Sequence, residues 1–115
     1  MWMTVGERRF AITLADTEAA RALAAMLPLA MDMADLHGNE KYADLPQALP
    51  TQAVRVGTIR TGDVLLFGAK TLVVFYETFS SHYAYTRVGR LEDPAGLAQA
   101  LGSGTVRIGF AQNPR

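Results

Sequence analysis

The sequence predicts a mainly β protein: a small closed or nearly closed antiparallel β-barrel with two short flanking helices, in a single domain spanning residues 1–115. Three observations predict it. Six or more segments read as strands, some by alternation and some as short apolar runs rich in β-branched and aromatic residues. The links between them are short and hairpin-like, unlike the helical crossovers of alternating βαβ units. Only two stretches carry the caps and stops of a helix, and both are brief.

From Arg8 to Leu14, Phe10, Ile12 and Leu14 fall on one side, the period of a half-buried first strand. A helix follows. Asp16 or Thr17 can cap it, Glu18 sits in its first turn, Ala19, Leu23, Met26 and Leu27 recur on one face, and Pro28 stops it. Leu29 to Leu36 reads as a strand, with Leu29, Met31 and Met33 on one face and Asp32 on the other. The run from Asp35 to Pro50, DLHGNEKYADLPQALP, crowds polar, aromatic and turn residues without the period of either element, so an elaborated surface loop is expected. Val54 to Ile59 gives a short strand and Thr61-Gly62-Asp63 a turn. VLLFG (Val64 to Gly68) and TLVVFYE (Thr71 to Glu77) are apolar runs joined across Gly68-Ala69-Lys70 as a hairpin with both faces covered. Tyr83 to Leu91 is a further strand. Asp93-Pro94 then supplies a cap and a first-turn proline ahead of Leu97, Ala98 and Leu101, with Gly102 as the stop. Gly104 to Phe110 closes the chain as a strand, with Val106, Ile108 and Phe110 on one face.

Half the residues are apolar and 19% are charged, which excludes a disordered chain of low hydrophobicity. Lys plus Arg and Asp plus Glu each total 11, and no basic run exceeds Arg8-Arg9. The clustered cationic contacts that a nucleic-acid backbone demands are missing. Cysteine is absent, which removes disulfides, thiolate nucleophiles and zinc-thiolate sites. MWMTVGERRFAITL lacks the basic-then-apolar order of a secretory signal, and no stretch approaches the ~20 apolar residues that span a bilayer. The expectation is a soluble cytoplasmic protein with no nucleic-acid partner, no membrane partner and no cofactor.

The order of elements, together with LHGNEKY at Leu36 to Tyr42, GDVLLFG at Gly62 to Gly68, LVVFYETF at Leu72 to Phe79, YAYTRVGRLEDPAGLAQALGSG at Tyr83 to Gly104 and VRIGF at Val106 to Phe110, resembles the cyclophilin-like fold family. The resemblance is to its small bacterial and archaeal branch of unknown function rather than to the peptidyl-prolyl isomerases, and it covers nearly the whole chain. It implies a small β-barrel with two flanking helices and implies no reaction. In true cyclophilins the groove depends on a Phe-His-Arg strand motif, with a Phe and a Gln a few residues on and the arginine stabilising the twisted amide. Arg55 and Arg60 lie in the corresponding third of this chain without those neighbours, so no catalytic residue carries over.

His37 and His82 are the only histidines, and with Asp35, Glu40 and Glu77 they lack an HExxH or an i, i+4 pair, so no metal is expected. Ser80-Ser81-His82 sets a hydroxyl beside a base, yet neighbours on an extended chain point to opposite sides, and a serine-rich turn is the simpler reading. Gly102-Ser103-Gly104 leads into a strand instead of a helix and so makes no phosphate cradle. Tyr83, Tyr85 and Arg87 share one strand face, and Glu77 ends the strand before it. Such an aromatic and cationic wall suits a planar ligand or a carboxylate. The competing reading is rim packing, with the arginine on a structural carboxylate. His37, Asn39, Glu40 and Tyr42 sit where the long connection can fold over a barrel face, while its Leu45 and Leu49 can plug the barrel.

The candidate ligand-binding set is therefore His37, Asn39, Tyr42, Tyr76, Glu77, Tyr83, Tyr85 and Arg87. The expected function is a module that binds a small molecule or an extended peptide. The alternatives are a divergent peptidyl-prolyl isomerase, favoured by fold analogy alone, and a module that self-associates as a homodimer through exposed sheet edges, Trp2 or Phe79.

Overall fold

The computed structural model describes residues 1–113. The chain opens with β1 (Trp2–Val5), which pairs with β2 (Arg8–Leu14) as a hairpin that sets Met3 opposite Phe10. The first strand was not anticipated, because four residues give too little alternation to stand out. Next come α1 (Glu18–Ala25), β3 (Leu29–Leu36), β4 (Glu40–Asp44), β5 (Val54–Arg55), β6 (Thr58–Ile59), β7 (Asp63–Phe67), β8 (Thr71–Phe75), β9 (Phe79–Ser80), β10 (Ala84–Leu91), α2 (Leu97–Leu101) and β11 (Val106–Ala111).

Hydrogen bonding runs in the order β2-β1-β11-β3-β4-β8-β7-β10, and β10 returns to β2 with Leu91 opposite Ile12. Eight antiparallel strands thus close into a barrel flanked by two helices. The last joint depends on Gly89: a Cβ there would lie 2.8 Å from both Ile12 Cγ2 and the Thr13 carbonyl oxygen, so any larger residue would push β10 off β2. Outside the ring, β5 adds to β10, while β6 and β9 form a separate two-stranded ribbon.

A barrel of eight strands is just wide enough for side chains to fill. Met3, Phe10, Met33, Leu66, Val74, Ile108 and Phe110 do so here, joined by Leu23 of α1 and by Leu97 and Leu101 of α2. Burying each such side chain contributes roughly 1.5–3 kcal/mol before entropy is counted. Leu45 and Leu49 enter the same cluster, and their backbone amides donate to the carbonyls of Lys70 and Ala69, each at 2.8 Å. Both faces of the hairpin are covered over Val64 to Leu66 and Leu72 to Phe75, as the unbroken apolar runs predict, while Phe67 at the end of β7 stands exposed.

The Asp35 to Pro50 run is only partly loop. Residues Glu40–Asp44 form β4, paired with β3 on one side and β8 on the other. The turn before it has positive φ at both His37 (56°) and Gly38 (66°), the type I′ geometry that matches strand twist. Thr17, not Asp16, caps α1: its Oγ1 accepts from the Ala20 amide at 3.1 Å and its hydroxyl donates to the Arg87 carbonyl at 2.7 Å. The second helix begins later than the Asp93-Pro94 signal suggested. Asp93 caps a turn by accepting from the Ala95 amide at 3.0 Å, and left-handed Gly96 stands at the helix N-terminus.

Candidate functional site

On β4 successive side chains alternate between the inside and the outside of the barrel. Lys41 points in and is fully buried. Its Nζ donates to Asp35 Oδ1 at 3.0 Å and to the Gly104 carbonyl, and it lies 5.5 Å from the centre of the Tyr76 ring. Tyr76 donates its own hydroxyl to the same Asp35 oxygen, while the Gly38 amide donates to Oδ2 at 3.0 Å. The hydrogen bonds from Tyr76 and Lys41 lower the Asp35 carboxyl below its ordinary range, against the opposing effect of burial. Burial, together with the bond to Asp35, pushes the Tyr76 phenol up to about 12. Every charge in this cluster has a partner.

Glu40, Tyr42 and Asp44 point out. Register across the sheet sets Glu40 beside Phe75, Tyr42 beside Val73 and Asp44 beside Thr71 on β8, so one outer face carries all six. Beyond them, Leu65, Val73, Phe75 and Tyr85 form a second small core on the outer wall, closed by Ile59 and Phe79 of the β6–β9 ribbon. Between this core and the β3–β4 turn opens a cavity of about 460 Å³. Its apolar side is lined by the rings of Phe67, Phe79, Tyr83 and Tyr85. Phe67 lies 6.0 Å from Tyr83 and 5.8 Å from Tyr85, and buried Phe75 backs them, 5.7 Å from Tyr85 and 5.8 Å from Phe79. Its polar end holds His37, Asn39 and Glu40.

The polar end lacks partners. The Glu40 residue is only 9% exposed, and its carboxylate takes part in none of the hydrogen bonds or ion pairs among the described residues. Burial raises the Glu40 carboxyl, the neighbouring His37 opposes that shift, and Asp35 adds to it. Asn39 Oδ1 is buried without a donor. Burial and the charge of Glu40 raise the Tyr85 phenol as well.

Of the candidate residues, His37, Asn39, Tyr42, Tyr83 and Tyr85 meet in this one cavity. Three do not. Tyr76 belongs to the Lys41–Asp35 cluster, Glu77 is exposed, and Arg87 lines a separate, shallower depression with Thr13, Leu65 and Glu92. Arg87 shares the outer face with Tyr85, but two residues of strand carry it about 7 Å further along, to where β10 bulges before meeting β2. Sequence reasoning passed over Phe67 as part of a buried hairpin run, although it is 47% exposed. It also passed over the Lys41 cluster. Period-two counting from Glu40 would have found the Glu40-Tyr42-Asp44 face. Among the described residues no group of three His, Cys, Asp or Glu stands close enough together to hold a metal ion, and no helix is long and apolar enough to cross a membrane.

A closed eight-strand antiparallel barrel with two short helices, filled inside and carrying a cavity on its outer wall, defines the class of this protein. The chain belongs to the cyclophilin-like family, whose model matches residues 3–111. No curated protein and no solved structure matches it.

Proposed function

We propose that this chain is a binding module for a small molecule, with the outer-wall cavity as its site. One observation carries the reading. Of the five large apolar side chains exposed among the described residues, Leu36, Tyr42, Phe67 and Tyr83 line this cavity and only Val54 does not. Scattered exposed apolar residues need no explanation, whereas their gathering around one concavity marks a contact surface. A volume of about 460 Å³ falls within the roughly 300–1,000 Å³ of small-molecule sites and favours a compact ligand over an extended peptide.

No arginine or lysine lines the cavity, so a divergent isomerase would find no guanidinium there to stabilise a twisted amide. Self-association through sheet edges has less to support it, because closure leaves free edges only on the two-residue strands β5, β6 and β9, and Phe79 packs on Phe75. The test is a screen of small soluble fragments against ¹⁵N-labelled protein. Hits should shift amides of residues 36–44, 67–73 and 79–85, and Phe67→Ala should remove those shifts while leaving the fold intact. Hits that cluster elsewhere, or that survive Phe67→Ala unchanged, would refute the site.

A further inference from the structure

Resting on that reading, we infer that the cavity selects an organic cation: a protonated amine or guanidinium carried on an apolar or aromatic body. Its polar end offers two acceptors and needs donors. Asn39 Oδ1 is buried with nothing to accept from, and Glu40, a residue only 9% exposed, lines the cavity with a carboxylate that has no hydrogen-bond or ion-pair partner among the described residues. A buried polar group left unpaired is expensive, and a carboxylate drawn largely out of water costs more than a neutral group, so this end of the cavity gains from a ligand that brings donors. The other acid on the wall, Asp44, is already engaged, accepting from the Thr71 hydroxyl at 2.7 Å.

The apolar side selects in the same direction. Tyr83, Phe67 and Tyr85 present ring faces and edges within one cavity, and ring faces attract cations. With Glu40 and Asp44 on the lining and no lysine or arginine, the wall carries net negative charge against the single imidazole of His37. An ammonium at the polar end would donate to Glu40, beside Asn39, while its apolar body lies on the rings. A carboxylate or phosphate would meet the repulsion of Glu40 and Asp44 and would leave the Asn39 acceptor unpaired.

The experiment titrates the full-length ¹⁵N-labelled chain at neutral pH with three probes of one shape: phenethylamine, 2-phenylethanol and 3-phenylpropionate. Phenethylamine should shift the amides of residues 36–44 and 79–85 and bind roughly tenfold or more tightly than the alcohol, because a hydrogen bond to a charged group is worth about twice a neutral one. The propionate should be weakest. Glu40→Gln, which keeps the shape, should bring amine and alcohol within about threefold of one another, since the charge-assisted part of the contact is gone. The comparison among probes on the unaltered chain stands even if that variant folds poorly. Equal binding of amine and alcohol, or preference for the propionate, at these amides would overturn the cation inference and leave the cavity as a binding site. No shift at these amides with any probe would overturn both.

Discussion

Glu40 and Lys41 are neighbours on one strand, both buried and oppositely charged, and the barrel wall separates their fates. Lys41 faces in, where a carboxylate, a carbonyl and an aromatic ring use its charge. Glu40 faces out, into a cavity where its carboxylate has no hydrogen-bond or ion-pair partner among the described residues. On the proposed reading, burial alone therefore does not distinguish a structural charge from a ligand-binding one. What distinguishes them is whether the protein completes the bonding, because an interior that must be dry at all times satisfies its polar groups, whereas a site that awaits a ligand leaves them open.

The contrast breaks most severely at Lys41. Lys41→Ala should remove about 2–4 kcal/mol of stability, since it empties packed volume and strips two donors from acceptors inside the barrel. A urea titration with an unchanged slope and a lowered midpoint is the expected result. Tyr76→Phe keeps the ring over Lys41 but takes one hydrogen bond from Asp35, so its loss should be smaller. It has a signature in acid. The lowered Asp35 carboxyl contributes stability that is present above its ordinary 3.8 and lost as pH falls. With the Tyr76 bond gone the depression shrinks, and acid unfolding of the variant should begin at higher pH than in the unaltered chain.

Glu40→Gln should act in the opposite direction and raise stability at pH 7 by on the order of 0.5–1 kcal/mol, because it removes a charge held largely out of water without a partner. The sign follows from proton binding. Burial raises the Glu40 carboxyl, so the folded chain holds a proton that the unfolded chain releases as pH climbs past the ordinary 4.5, and ionisation in the fold costs stability through that window. Glutamine has no proton to lose, so its advantage in melting temperature should be present at pH 7 and gone at pH 4. His37→Gly should be the smallest effect, a gain of about 0.5 kcal/mol. It relieves a left-handed non-glycine residue worth roughly 1–2 kcal/mol, offset by the roughly 0.5–1 kcal/mol that glycine's freedom adds to the unfolded chain.

The same alternation explains what the sequence revealed. Phe10-Ile12-Leu14 and Val106-Ile108-Phe110 have one apolar face each, and Val64 to Phe67 and Leu72 to Phe75 are apolar on both, so periodicity or composition exposes them. In β4 the inward residues are Lys41 and Ala43 and the outward ones are Glu40, Tyr42 and Asp44. Charge on both faces erased the period, and a strand read as loop. β6 and β9 have two residues each, below the length at which any pattern exists.

The site was legible as composition and not as geometry. Tyrosines, histidine and asparagine gathered in two segments, and β4, β8, β7 and β10 bring five of the eight candidates into one cavity. Arg87 parts from Tyr85 because a strand face runs further than a pocket does. Glu40 gave no sign in sequence of its isolation, since the absence of a partner depends on every element around it.

The most direct test of this account is a carbon-detected NMR titration of the side-chain carboxyls in the free protein. The account predicts that Asp35 titrates below 3.8 and Glu40 above 4.5. A Glu40 carboxyl at or below its ordinary value would mean that the fold already supplies the donor the cavity is said to lack, and would contradict the account.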